Sequence, residues 1–165
     1  MIVKIDDWIF DVDMTATMEY SAKEAVEHCD CGYCRNFYAA VDETYPQLRP
    51  FLAQFGLDLE APEELMPFDP TLYLACYAAE GHIVKRGQPL IMVDGVKVMP
   101  ESAQDAMINS GLHAPYFVLS VGPMALPWVL DEPMEDVISL ANLPSFLKRM
   151  WDRLLRRQKK DIMSS

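Results

Sequence analysis

The chain has 165 residues, 51% of them hydrophobic, which is typical of one globular domain with its own core. The formal net charge of −11 argues against a body that binds nucleic-acid phosphates, and no run of about 20 apolar residues is present to form a transmembrane helix. Residues 1–14 lack the basic region and cleavage site of a signal peptide, so we expect a cytoplasmic protein whose four cysteines are thiols or metal ligands rather than disulfides.

The N-terminal residues predict extended structure. Residues 8–20 alternate large apolar side chains with small or acidic ones, and this period of two is typical of one long strand or a hairpin arm. Residues 21–27 combine serine, lysine and glutamate with two alanines, which predicts a short helical turn or a loop.

Two amphipathic helices are predicted directly after the clustered cysteines. The apolar side chains of the first recur every three or four positions and are Phe37, Tyr38, Val41 and Tyr45. Those of the second are Leu48, Phe51, Leu52 and Phe55. Pro46 suits the first position of the second helix and Gly56 its end, so we expect a helical pair.

The middle of the chain predicts short strands joined by tight turns. Residues 58–70 are proline-rich and acidic and are expected to be a surface connection, whereas 71–79 predict a strand that ends at a Glu80-Gly81 turn. Asp94-Gly95 is typical of a two-residue hairpin. The other predicted strands are 82–85, 90–93, 96–99 and 116–121. We therefore predict an α+β fold, with an antiparallel sheet and the helical pair on one face.

The last residues predict a basic amphipathic helix. Residues 146–165 hold seven of the chain's 14 lysines and arginines, and their apolar stripe consists of Leu147, Met150, Trp151, Leu154 and Leu155. We expect an acidic domain over 1–145, with the cysteine cluster, and a helix over 146–165 packed on that domain. The helix can instead contact an anionic partner or surface.

Three of the four cysteines lie within the stretch His28–Cys34, which is HCDCGYC. Zinc takes four thiolate or imidazole ligands at tetrahedral corners, and Cys31 and Cys34 have the spacing of a chelating pair. Cys29 is the candidate third ligand. The candidates for the fourth are Cys76, His28 and His82. The cluster therefore predicts a possible zinc site.

The same residues also fit a redox dithiol. A C-x-x-C pair at the start of a helix has a depressed first pKa, so that Cys31 is the nucleophile and Cys34 resolves the mixed disulfide. Cys-Gly-Tyr-Cys resembles the active-site tetrapeptide of thioredoxin-fold disulfide isomerases, which implies a cis-proline opposite the dithiol, with Ala114-Pro115 as its candidate. A third possibility is that the cysteines are only small packed side chains.

Three segments together resemble a family of small uncharacterised bacterial proteins. They are CDCGYCRNFY, the FGLD that follows the second helix, and LPWVLDEP. The resemblance covers most of the chain. It implies a stand-alone domain in a bacterial cytoplasm and implies no activity.

No recognisable catalytic motif accompanies the cysteines, so the function predicted first is a zinc-stabilised cytoplasmic protein that acts by binding a protein partner. The missing motifs remove the recognisable enzyme classes without excluding an enzyme. The alternatives are a thiol-disulfide oxidoreductase that uses Cys31 and Cys34, and recruitment through the C-terminal helix. Arg35 and Asn36 are predicted either to donate hydrogen bonds to the sulfurs or to form an exposed helix start.

Overall fold

A computed structural model of the protein describes residues 1–24, 29–113 and 115–134. Within them lie three helices: α1 (Met14–Glu24), α2 (Gly32–Thr44) and α3 (Leu48–Ala53). The strands are β1 (Ile2–Ile5), β2 (Trp8–Val12), β3 (Glu64–Asp69), β4 (Leu72–Lys85), β5 (Ile91–Val93), β6 (Val96–Ser102) and β7 (Tyr116–Ala125). The strands form one antiparallel sheet in the order β1-β2-β4-β7-β6-β5, with β3 also paired to β4. The predicted α+β class with an antiparallel sheet is confirmed.

The long strand β4 organises the sheet. Its first residues pair with β3 and its last residues with β2, while β7 pairs along its other edge. Between the parts that pair with β3 and with β2, strand β4 is hydrogen-bonded to the start of helix α1. The Glu80 N–H donates to the Thr17 hydroxyl at 3.0 Å, and the N–H of Asp13, just before the helix, donates to the Glu80 carbonyl at 2.9 Å. This edge of β4 is therefore bonded in turn to β3, to the start of α1 and to β2.

Three local predictions are wrong. The strand expected over 8–20 ends at Val12, because the Asp13 carboxylate accepts the Ala16 N–H at 3.0 Å and caps helix α1. The connection expected over 58–70 contains β3, since its inward side chains Met66 and Phe68 are buried. The turn expected at Glu80-Gly81 is part of the continuous strand β4.

The predicted helical pair is present as α2 and α3, which pack on one face of the sheet. Their shared core with β4 and β7 is built from large apolar side chains, among them Phe37, Val41, Leu48, Leu52, Tyr73, Tyr77, Phe117 and Leu119. The Asp94-Gly95 hairpin is present too, with both residues at positive φ (51° and 77°) between β5 and β6. Burial of this core fixes where α2 begins, and so where the cysteines lie.

The predicted C-terminal helix over 146–165, and its packing on the acidic domain, lie outside the described residues. Among the described helices, none combines the length and the apolar character that crossing a membrane requires.

Candidate metal centre

The cysteine cluster lies at the start of helix α2. Cys31 occupies the N-cap position in an extended conformation (φ −72°, ψ 159°), and its side chain makes no capping hydrogen bond. Gly32 begins the helix, and Cys34 lies in its first turn. Since residues three apart around a helix start face the same side, the chain turns the sulfurs of Cys31 and Cys34 toward one another.

The three sulfurs converge. The Sγ atoms of Cys29, Cys31 and Cys34 all lie within 4.8 Å of one another. Sulfurs bound to one zinc ion at 2.3 Å and tetrahedral angles lie about 3.8 Å apart, so only a small adjustment would bring these three onto an ion. Cys29 and Cys31 are exposed and Cys34 is buried, which places the site at the surface with one side anchored in the domain. Three cysteines so arranged can hold a metal ion.

Two thiols of the cluster have pKa values shifted in opposite directions. The pKa of Cys29 is lowered, mainly because its sulfur accepts a hydrogen bond from the Cys31 backbone N–H, with further bonds from the Cys31 and Cys34 thiols. Burial raises the pKa of Cys34, and its hydrogen bonds to the two neighbouring sulfurs raise it further. A metal ion that binds all three sulfurs therefore displaces the proton of Cys34 and uses a negative charge already favoured at Cys29.

The predicted fourth ligands lie elsewhere or outside the description. Cys76 is buried in β4, where its Sγ lies 3.6 Å from the Ser120 hydroxyl, and His82 lies opposite Asp11 where β4 pairs with β2. The structure does not bring either into the group of three sulfurs. His28 lies outside the described residues.

Arg35 and Asn36 bind a neighbouring loop. The sequence predicted either that both donate hydrogen bonds to the sulfurs or that both form an exposed helix start, and neither prediction describes both residues. The Asn36 side chain is completely buried: its Nδ2 donates to the Pro127 carbonyl at 3.1 Å, and its Oδ1 accepts the Val129 N–H at 2.8 Å. Arg35 Nη1 donates to the Asp30 carbonyl at 2.8 Å, and its Nη2 forms an ion pair with Glu132. No local pattern in the sequence indicates these long-range partners.

The loop that they hold is residues 126–134, which we call the tryptophan segment. The Trp128 ring packs edge-on against Tyr33, with ring centroids 5.9 Å apart, and a Cβ atom on Gly32 would lie 3.6 Å from the tip of the indole. The indole N–H donates to the Glu132 carbonyl at 2.8 Å and closes the segment on itself. The LPWVLDEP stretch therefore lies against the cysteine turn, a contact that sequence reasoning missed.

The resemblance to thioredoxin-fold isomerases does not extend to the fold. In that fold the dithiol accompanies a βαβ unit, which requires parallel strands, whereas the strand pairs of the described residues are antiparallel. The cis peptide bond found in the described residues precedes Pro123, and Ala114 lies outside them.

Comparisons of the chain with protein-family models, with curated proteins and with solved structures found no match. The resemblance to small bacterial proteins therefore stays a prediction.

Proposed function

We propose that Cys29, Cys31 and Cys34 bind one zinc ion, and that the metal stabilises the start of helix α2 in a small cytoplasmic protein that acts by binding a protein partner. The observation that carries the proposal is the convergence of three sulfurs within 4.8 Å. Three sulfurs at this separation can share one tetrahedral ion after a small adjustment of their side chains.

Zinc is the metal that this set of ligands favours. Thiolates select soft or borderline ions, and zinc in structural sites accepts combinations of cysteine and histidine at tetrahedral corners. His28 is our candidate for the fourth position, because it directly precedes Cys29 in the chain. Cys76 and His82 lie in strand β4, outside the group of three converging sulfurs.

A binding role is proposed over catalysis because of what surrounds the cysteines. Within the described residues, Cys29, Cys31 and Cys34 are the one group of at least three His, Cys, Asp or Glu side chains close enough to share an ion. The groups adjoining the turn, Arg35 and Asn36, are engaged with the tryptophan segment. Zinc whose four ligands are all cysteine or histidine side chains is the usual form of a structural site, and such a site holds a surface in shape.

Metal analysis of the purified protein tests the proposal. We expect about one zinc per chain in the wild type, and loss of zinc together with a lower melting temperature in Cys31→Ser and in Cys34→Ser. Cys76→Ala is the matched control: it removes the cysteine that lies outside the group and should keep its zinc. Metal-free wild-type protein whose melting temperature does not change on zinc addition would contradict the proposal.

The second candidate function is thiol-disulfide exchange, favoured by the short distance between the sulfurs of Cys31 and Cys34 at the start of helix α2. A cysteine thiolate would attack a substrate disulfide, and the resulting mixed disulfide would be resolved by the second cysteine. The substrate then leaves as two thiols, and the protein keeps a Cys31–Cys34 disulfide. Peptide mapping after mild oxidation, with an insulin-reduction assay, tests this candidate. Finding no such disulfide and no reduction would exclude it.

A further inference from the structure

The tryptophan segment contacts the residues between and around the metal-binding cysteines. Trp128 lies over Gly32 and Tyr33, which separate Cys31 from Cys34. The segment and the cysteine turn are about 97 residues apart in the chain, as the Arg35–Glu132 pair shows. Each therefore restricts the positions that the other can take.

Arg35 connects the segment to the backbone between two of the ligands. Its guanidinium donates to the carbonyl of Asp30, the residue between Cys29 and Cys31, and pairs with the Glu132 carboxylate of the segment. A side chain that fixes the backbone between ligands fixes the direction in which their sulfurs point, as outer partners do in metal sites generally.

Asn36 fixes the other side of the same contact. Its amide is completely buried and bonds to the segment's backbone at both ends, to the Pro127 carbonyl and to the Val129 N–H. Because Asn36 lies in the same helix as Cys34, five residues from Cys31, the segment is attached to the helix start at two points. The segment and the cysteine turn therefore form one packed unit.

We propose that zinc binding and docking of the tryptophan segment stabilise each other, with Arg35 and Glu132 as positioning residues for the metal site. This inference rests on the proposed zinc function. The metal holds the turn in the shape that the segment contacts, and the docked segment holds the sulfurs in place for the metal. Linkage requires the effect to be reciprocal.

The first test compares zinc affinities by competition with a chromophoric chelator. Glu132→Gln removes the charge that holds Arg35, and we expect about 10-fold weaker zinc binding. The matched control is Asp131→Asn, the same change in the adjacent exposed residue, which should bind zinc within about twofold of the wild type. Both side chains lie at the surface, and an exposed ion pair adds little to folding stability, so that Glu132→Gln is expected to fold.

The second test measures the reciprocal effect by amide hydrogen exchange of the wild-type protein with and without zinc. The peptide that covers residues 126–134, which includes the Val129 N–H bonded to Asn36, should exchange more slowly when zinc is bound. A peptide from the β5–β6 hairpin, residues 91–98, serves as the internal control and should exchange at an unchanged rate.

The outcomes separate the two proposals. A wild-type protein that binds no zinc overturns both of them. Normal zinc binding with equal affinity in the wild type and Glu132→Gln, or with no change in exchange over residues 126–134, overturns the coupling alone and leaves the zinc site standing. Weaker binding confined to Glu132→Gln, together with slower exchange over the segment, supports the coupling.

Discussion

Asn36 has an environment unlike that of most asparagines. Asparagine is mostly exposed in proteins, yet this side chain is completely buried, and both ends of its amide are hydrogen-bonded. Besides its two bonds to the tryptophan segment, Nδ2 lies 3.3 Å from the Tyr73 hydroxyl. A buried amide that is hydrogen-bonded at both ends favours one arrangement of the neighbouring chain, because any other arrangement leaves buried polar groups without hydrogen-bond partners.

Asn36→Ala is expected to lower the free energy of unfolding by about 2–4 kcal/mol, because it leaves the Val129 N–H and the Pro127 carbonyl without their side-chain partner. Urea denaturation of the wild type and the variant measures the difference. Asn109→Ala is the control, since Asn109 is exposed, and it should change the value by less than about 0.5 kcal/mol. Equal effects of the two substitutions would show that the buried amide does not hold the segment.

At the scale of elements, strand β4 depends on one glycine where it meets β2. Gly81 has a φ of 133°, and a Cβ atom built on it would lie 2.0 Å from the Asp11 carbonyl oxygen. The backbones of β2 and β4 approach each other closely here because Gly81 pairs with Val12. Glycine therefore lets β4 continue across a point at which the sequence pattern predicted a turn.

Gly81→Ala is expected to cost about 3 kcal/mol or more, because the new methyl group overlaps backbone that cannot move without breaking the β2–β4 pairing. Gly95→Ala provides the comparison: Gly95 also has a positive φ, 77°, but nothing lies within 4 Å of its Cβ position. That variant should lose only about 1 kcal/mol, the conformational cost alone. Thermal or urea unfolding of the pair measures both, and similar losses would argue against the close approach at Gly81.

At the scale of the whole molecule, the part of strand β4 that crosses the core is buried on both of its faces and contains several weak acids. Tyr73 and Tyr77 point to the helix side of β4, whereas Leu74 and Cys76 alternate with them, and all four are buried. Burial raises the pKa of Cys76 to about 12 and, as the largest cause, that of Tyr73 to about 12. The fold therefore keeps these groups protonated in a range where the unfolded chain ionises.

We expect the protein to lose stability in alkali. In the unfolded chain the Cys76 thiol ionises near pH 9 and the Tyr73 phenol near pH 10, whereas the folded protein holds both protons to about pH 12. The unfolded state thus binds fewer protons above pH 9, and its free energy falls relative to the folded state by about 1.4 kcal/mol per pH unit for each ionised group.

Urea denaturation at pH 8, 9.5 and 11, in the presence of a chelator, measures this effect. Cys76→Ala removes a buried thiol whose unfolded pKa is near 9, so its stability should decline less between pH 8 and 9.5 than that of the wild type. If the free energy of unfolding stays constant from pH 8 to 11, the burial of these acids does not make the stability of the protein depend on pH.

Local spacing determined part of the fold and of the candidate site. The helical stripes of α2 and α3, the Asp94-Gly95 hairpin and the approach of the Cys31 and Cys34 sulfurs all follow from residues a few positions apart, where backbone geometry alone limits the outcome. Beyond the reach of local patterns, the predictions for residues 8–20 and 58–70 are wrong. The Asp13 cap and the pairing of β3 with β4 decided those segments.

By itself the sequence determined an α+β chain with three cysteines at a helix start. Only the tertiary structure decided that Asn36 is buried, that β4 continues through Gly81, and that the tryptophan segment lies on the cysteine turn. Each of these depends on contacts between residues tens of positions apart. Such contacts form because packing must satisfy every buried polar group and fill the core at once, a condition that no single stretch of sequence contains.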